Sequence, residues 1–196
     1  MGVSLSRLKK HKEAVEILDK AIATAPFDSK NRGLYYFNRA ISHQHLGNYK
    51  MAVSDYSRSI QMDESQDPTA LSKKLRQRAI CFNSLKQYQK AIDDYTQCLQ
   101  CEEKLNNPSL KADVLFYRGL DHRKLKNFSE ALNDLDKAIQ LRKEAIYFHA
   151  RAITYRKLGE FDKAIEDHKM ANSLKPNNTK LKESYNKTLL AKDNKQ

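Results

Sequence analysis

Residues 36–60 read YFNRAISHQHLGNYKMAVSDYSRSI, and two helices with a break between them are legible in that stretch. Tyr36, Arg39, Ala40 and His43 stand three or four apart, which places them on one helical stripe. Leu46-Gly47-Asn48-Tyr49 interrupts the pattern, and Gly47 suits a left-handed turn. A second stripe follows in Ala52, Tyr56, Ser59 and Ile60. Small residues on both helices let the backbones approach, and the rings fill the groove that remains. One such hairpin cannot bury its own apolar face, so the sequence predicts that copies stack on one another.

The copies are present. Alanines at positions 14, 52, 91, 131 and 164 recur at intervals of 38, 39, 40 and 33 residues. Six residues before each stands a leucine: Leu8, Leu46, Leu85, Leu125, Leu158. Three residues before stands Tyr49, Tyr88, Phe128 or Phe161, with His11 in the first copy. Twelve before is always small (Gly2, Ala40, Ala79, Gly119, Ala152). So is seven after: Ala21, Ser59, Cys98, Ala138, Ala171. Fixed-period self-similarity is the signature of a repeat architecture.

These columns resemble the tetratricopeptide repeat (TPR) family over nearly the whole chain. The fifth copy matches most fully, through Phe148, Ala152, Tyr155, Gly159, Phe161, Ala164, Ala171 and Pro176. The resemblance implies an all-α, right-handed superhelical solenoid of antiparallel helix pairs in a single domain, 1–196. Its repeats cover about 1–28 (a truncated first copy), 33–66, 72–105, 112–145 and 145–178. Leu181, Tyr185 and Leu189 predict a capping helix over 179–192. The closing proline of the first and fifth copies, Pro26 and Pro176, is Glu64 and Glu103 in the second and third. The sequence therefore predicts extended second helices there, followed by loops near Asp67-Pro68 and Asn106-Asn107-Pro108. In the fourth copy Lys143 takes the proline's place, although the interval that follows is the shortest.

Repeats two to five carry Arg39, Arg78, Arg118 and Arg151 beside the small residue of the first helix. Asp55, Asp94, Asp134 and Asp167 stand three residues after the alanine of the second. Where the arginine is missing, in the first copy, Ile17 replaces the aspartate. The covariation predicts structural ion pairs within or between repeats, partly buried and charge-assisted. An anion-binding ladder is the functional alternative.

Catalytic chemistry has no foothold in these residues. No phosphate-binding loop, zinc-protease helix or nucleophile elbow occurs. Asp93 and Asp94 are adjacent on a helix and diverge. Cys98-x-x-Cys101 has no second pair, so no four-ligand zinc set assembles and the thiols read as packing groups. His43 and His122 read as packing residues, and His43 and His45 lie on different sides of one helix. The expectation is a non-enzyme without catalytic residues, cofactor or metal. There is no apolar run of about 18 residues to cross a membrane and no signal-peptide core at the N-terminus, which points to a cytoplasmic or nuclear location, cytoskeletal or ciliary settings included. Gly2 and Ser6 fit the loose myristoylation pattern, but Gly2 is already explained by the small-residue column.

In the TPR family the first helix of each pair lines the concave side. Projecting their free faces gives a peptide groove of Phe37, Asn38, Ile41, Lys73, Arg76, Ile80, Phe116, Leu120, Arg123, His149, Ile153 and Arg156. Gln44, Asn83 and Asp113 lie on the same faces. Exposed apolar residues beside arginines favour a peptide or protein partner with hydrophobic anchors and acidic flanks. The net charge of +12 points the same way. Some family members clamp the acidic tails of heat-shock chaperones. Asn38 and Lys73 match two clamp places, but Gln77 stands for its arginine and its first two places fall at or before Val3. One repeat along, Phe37, Ile41, Asp113 and Tyr117 would occupy the clamp and cannot hold a carboxylate, so a chaperone tail is disfavoured. Two alternatives remain: binding of a polyanion surface, RNA or microtubule, through the basic face, and self-association through the terminal repeats. No aromatic–basic nucleic-acid module supports the first.

Overall fold

The computed structural model describes residues 2–26, 30–63 and 67–194. Among them are ten α-helices and no strand. The chain divides into two compact bodies, Met1–Leu105 and Asn106–Gln196. The N-terminal body contains α1 (Gly2–Thr24), α2 (Lys30–His45), α3 (Tyr49–Gln61), α4 (Pro68–Ser84) and α5 (Tyr88–Leu105). The C-terminal body contains α6 (Pro108–Lys124), α7 (Phe128–Leu141), α8 (Ala145–Leu158), α9 (Phe161–Leu174) and α10 (Thr179–Asp193). Within each body every helix packs on its chain neighbour, and α6 also touches α8.

The small-residue columns are where the helices meet. Ala40, Ala52, Ala79, Ala91, Ala131, Ala152 and Ala164 are fully buried, as are Ser59, Cys98, Ala138 and Ala171. Gly119 takes the alanine place on α6, where an added Cβ would sit 3.2 Å from the Ala131 carbonyl. The rings fill what the small residues leave open. Phe37, Ala40, Ala52, Tyr56 and Cys81 form one core, with Ile41, Tyr49 and Val53 against it. Burial pushes the Cys81 thiol up to about 12, so it packs as an inert group.

Four hairpin corners are built alike. Gly47 and Gly159 adopt left-handed φ of 78° and 79°, and Lys86 and Lys126 occupy the same places at 59° and 64°. The loops expected before α4 and α6 are present. Asp67 accepts from the Thr69 amide at 2.9 Å and Asn107 from the Leu110 amide at 3.1 Å, each ahead of a proline that starts the helix.

Two expectations are corrected, and the closure of repeat four is explained. The first copy has no corner: α1 runs unbroken through Leu8–Lys12. Lys9 and Lys10 are good helix formers with no glycine between them, and His11 stacks on His45 at 4.4 Å instead of closing a turn. The second helix of repeat two is not extended, since α3 ends at Gln61 after 13 residues, whereas α5 does extend to 18. Repeat four closes without a proline because Arg142 does the fastening. Its backbone is extended, and its side chain donates to Ser109 Oγ at 2.7 Å and to Asp113 and the Tyr147 hydroxyl. Tyr147 in turn donates to Asp113 at 2.6 Å. The start of α6, the end of α7 and the start of α8 are thereby tied together. At the far end α10 packs on α9 with Leu181 and Thr188 buried, matching the capping helix expected from the sequence.

Candidate functional site

The arginine–aspartate column is fully paired, and every pair has the same geometry. Arg39 Nε and Nη2 donate to Asp55 at 2.7 and 2.7 Å, and Arg78 to Asp94 at 2.8 and 2.7 Å. In the C-terminal body Arg118 meets Asp134 at 2.8 and 2.7 Å, and Arg151 meets Asp167 at 2.8 and 2.6 Å. Each is a planar fork closing the two helices of one repeat. In three of them the third nitrogen reaches the second helix of the preceding repeat. Nη1 of Arg39 finds Asp19 at 2.6 Å, that of Arg78 finds Ser57 Oγ at 3.0 Å, and that of Arg151 finds Asp136 at 2.6 Å. Those acceptors stand five residues after the marker alanine, a register that the sequence carries and that its reading missed. Burial pushes the Asp94 and Asp167 carboxyls up, and their arginines pull them back. The hydrogen bond to Asp55 and that to Asp167 hold the Arg39 and Arg151 guanidiniums well above their ordinary range. With carboxylate side chains only 1–7% exposed, these arginines are occupied by structure.

The faces expected to form the groove are less uniform. In the N-terminal body Phe37 is buried, tilted on Tyr56 at 5.8 Å with the Lys73 ammonium 5.2 Å from its ring. Asn38 is exposed, and Ile41, Arg76 and Ile80 are half-buried. Gln44 accepts from the Tyr56 hydroxyl at 2.7 Å and donates to Gln77 at 3.2 Å, which bridges α2 to α4 across this face.

In the C-terminal body Phe116 is likewise buried, between Tyr117 and Tyr147 at 5.1 and 4.9 Å. The expectation that the Phe37 and Phe116 rings stand free is corrected: each is core, because its stripe is the one pressed against the neighbouring helix. The exposed apolar groups are instead Leu34 (54% exposed) on α2, Tyr117 (42%) on α6 and Ile146 (51%) on α8. They flank the buried ring's place by one residue, about 100° around the helix, or by three, about 60° from the same face.

Along α8, Ile146, His149, Ile153 and Arg156 form one stripe, and α6 sets Leu120 and Arg123 beside it. Arg123 Nη1 donates to the Ala150 carbonyl at 3.1 Å, fixing the side chain across the two helices. Burial, with Arg156 acting the same way, lowers the Arg123 guanidinium. Burial followed by Arg123 and Arg156 lowers His149. The His149 ring lies 5.5 Å from that of His168, whose Nε2 meets Thr188 Oγ at 3.1 Å. Burial, helped by His149 and Arg156, holds His168 down to about 4, so that imidazole is neutral at pH ~7.

Cys81, Cys98 and Cys101 are buried, and Cys98 Sγ lies 3.1 Å from Ser72 Oγ. Among the described residues no cluster of three metal-binding side chains occurs, and no helix is long and apolar enough to cross a membrane.

Comparison with known proteins agrees with the geometry. Family models of the tetratricopeptide repeat match residues 70–144 and, separately, residues 1–28, 34–66 and 145–178. No curated protein sequence gives a significant match. Among solved structures, the C-terminal part of a TPR repeat-containing protein from Cytophaga hutchinsonii is similar with a TM-score of 0.77 at 19% identity. That match covers 98% of this chain and 71% of the other. MamA from Desulfovibrio magneticus RS-1 is similar at 0.72 and 15%, over 91% of this chain and 94% of that one. YrrB, described as a TPR protein with an unusual peptide-binding site, is similar at 0.67 and 17%, over 93% and 87%. Likeness at such identity speaks for fold alone, but the family models span most of the sequence and coincide with the stacked helix pairs. The chain belongs to the tetratricopeptide repeat family, and its fold is the all-α solenoid of that family.

Proposed function

We propose that this protein is an interaction scaffold that holds a partner peptide on the exposed faces of its first helices. One observation carries the reading: α8 presents Ile146, half-buried Ile153 and Arg156 on a single stripe, with Tyr117 and Leu120 on the adjoining α6. Apolar surface beside uncommitted guanidinium is a composition that interfaces favour. It contrasts with the arginines of the ion-pair column, which have nothing left to offer. The partner that suits this stripe is a peptide with an apolar anchor and acidic neighbours.

Selection from a random peptide library on the full chain tests the reading. Binders should be rich in apolar–acidic pairs, and Ile146→Asp together with Ile153→Asp should abolish binding while the helical circular dichroism stays intact. Equal binding by that double variant overturns the proposal. The +12 charge supports a second reading, a polyanion surface docked on exposed lysines. Affinity that collapses steeply between low and moderate salt, in a manner indifferent to the isoleucine changes, would favour it.

A further inference from the structure

Four arginines of α6 and α8 can be compared directly. Arg118 and Arg151 each spend a bidentate fork on a buried carboxylate. Arg123 donates one bond to the Ala150 carbonyl, and no carboxylate meets it among the described residues. Arg156 makes no side-chain hydrogen bond or ion pair among those residues. After burial, the groups acting on His149 are Arg123 and Arg156, and those acting on His168 are His149 and Arg156; all are basic.

The site also has unmet hydrogen-bonding capacity. Nδ1 of His149 and of His168 is buried without a partner among the described residues. The Thr188 hydroxyl donates to the Ser184 carbonyl at 3.0 Å, so it accepts from His168 Nε2–H; His168 is locked in that tautomer, and its Nδ1 can only accept, which leaves His149 as the imidazole able to face an anion. Two guanidiniums and an imidazole thus share a patch that no acid meets among the described residues, at the end of a stripe whose other members are apolar. Arg118 and Arg151 in this body are neutralised; here no described residue does so.

We propose that Arg123, His149 and Arg156 form a receptor for a carboxylate side chain of the partner peptide, whose neighbouring apolar residue rests on Leu120 and Ile153. The inference depends on the peptide-scaffold reading and names the chemistry of its acidic contact. An acceptor oxygen placed there takes the free N–H groups of both guanidiniums. Leu120 and Ile153 each stand one turn before their arginine, so an apolar side chain beside the acid meets them in register.

The test uses the full chain labelled with 15N. N-acetyl-leucyl-glutamate is titrated in, with N-acetyl-leucyl-glutamine as its uncharged twin, and the arginine Nε–H and histidine ring signals are followed. The acidic dipeptide should shift Arg123, Arg156 and His149 in a saturable way, leaving Arg118 and Arg151 unmoved, and the neutral twin should not. Arg123→Met with Arg156→Met should weaken library-selected acidic peptides by about tenfold or more, the equivalent of one lost charge-assisted bond. Arg156→Lys, which keeps charge but loses the fork, should recover only part of that.

Equal shifts from both dipeptides, or equal shifts at all arginines, overturn the receptor. So do equally strong shifts from inorganic phosphate, which would mark a general anion hole. If the arginine variants bind selected peptides normally while the isoleucine variants do not, the receptor fails and the scaffold stands. If the isoleucine variants bind normally and the acidic dipeptide still shifts these three residues, the scaffold reading fails and the carboxylate contact alone survives.

Discussion

Arg78→Met removes the charge from one fork and leaves Asp94, whose side chain is 3% exposed, without its counter-ion. Bonds of 2.8 and 2.7 Å to Asp94 and 3.0 Å to Ser57 are lost with it. Breaking one side of a buried pair costs about 3–5 kcal/mol. Because Arg78 is itself 18% exposed and methionine refills much of its volume, a loss of about 3 kcal/mol is expected. The reverse change should be milder. Asp94→Asn keeps an oxygen to accept, and the orphaned guanidinium reaches water, for a loss of about 1–2 kcal/mol. Replacing both, as Arg78→Met with Asp94→Leu, should return stability to within about 1 kcal/mol of wild type.

The loss also has a pH signature. Burial pushes the Asp94 carboxyl up and Arg78 opposes it, so without Arg78 the upward push is unopposed. A carboxyl with a raised folded pKa holds its proton more tightly in the folded chain, so its contribution to stability falls as pH rises through that value. The deficit of Arg78→Met should therefore shrink between about pH 7 and pH 5. Urea unfolding followed by far-ultraviolet circular dichroism at both pH values measures it. A deficit under about 1 kcal/mol at neutral pH, or one that grows in acid, refutes the argument.

Three further outcomes follow from the geometry. His168 is depressed from 6.5 to about 4 by burial, so its neutral form contributes stability that is lost as pH falls through that window. The loss is at most ~3 kcal/mol, and His168→Gln should flatten the pH dependence of urea unfolding there. Gly119→Ala gains about 1 kcal/mol of helix propensity but meets the Ala131 carbonyl at 3.2 Å, so a net change within about 1 kcal/mol is expected, against a loss above ~2 kcal/mol for Gly119→Val in thermal melts. Lys126 holds a left-handed φ of 64°; Lys126→Gly should raise unfolding free energy by about 0.5–1 kcal/mol, and an unchanged urea midpoint would contradict that.

The corners and contact columns were legible in the sequence because their physics is local: a left-handed turn calls for glycine or tolerates lysine, and close helix approach calls for alanine at a fixed offset. The Arg39–Asp55 type of pair was legible for the same reason, as its two columns appear and vanish together. What stayed hidden was orientation about the helix axis. Phe37 and Leu34 lie one turn apart, and only packing decides that the first is core and the second exposed. Closure of repeat four was hidden too, since Arg142 replaces a backbone constraint with four contacts spread over residues 109 to 147. The unbroken α1 shows the converse, a column in register without the turn it marks elsewhere.

The outward-reaching nitrogen of three forks gives the repeats a polarity. In each of the three it lands on an oxygen at the fifth place after the preceding repeat's marker alanine, Asp19, Ser57 or Asp136. In α9 that place is Lys169, an ammonium that can only donate. Duplicating α8–α9 in tandem would therefore set guanidinium against ammonium at the new seam. Lys169→Asp in the first of the two copies should restore the missing acceptor at that seam.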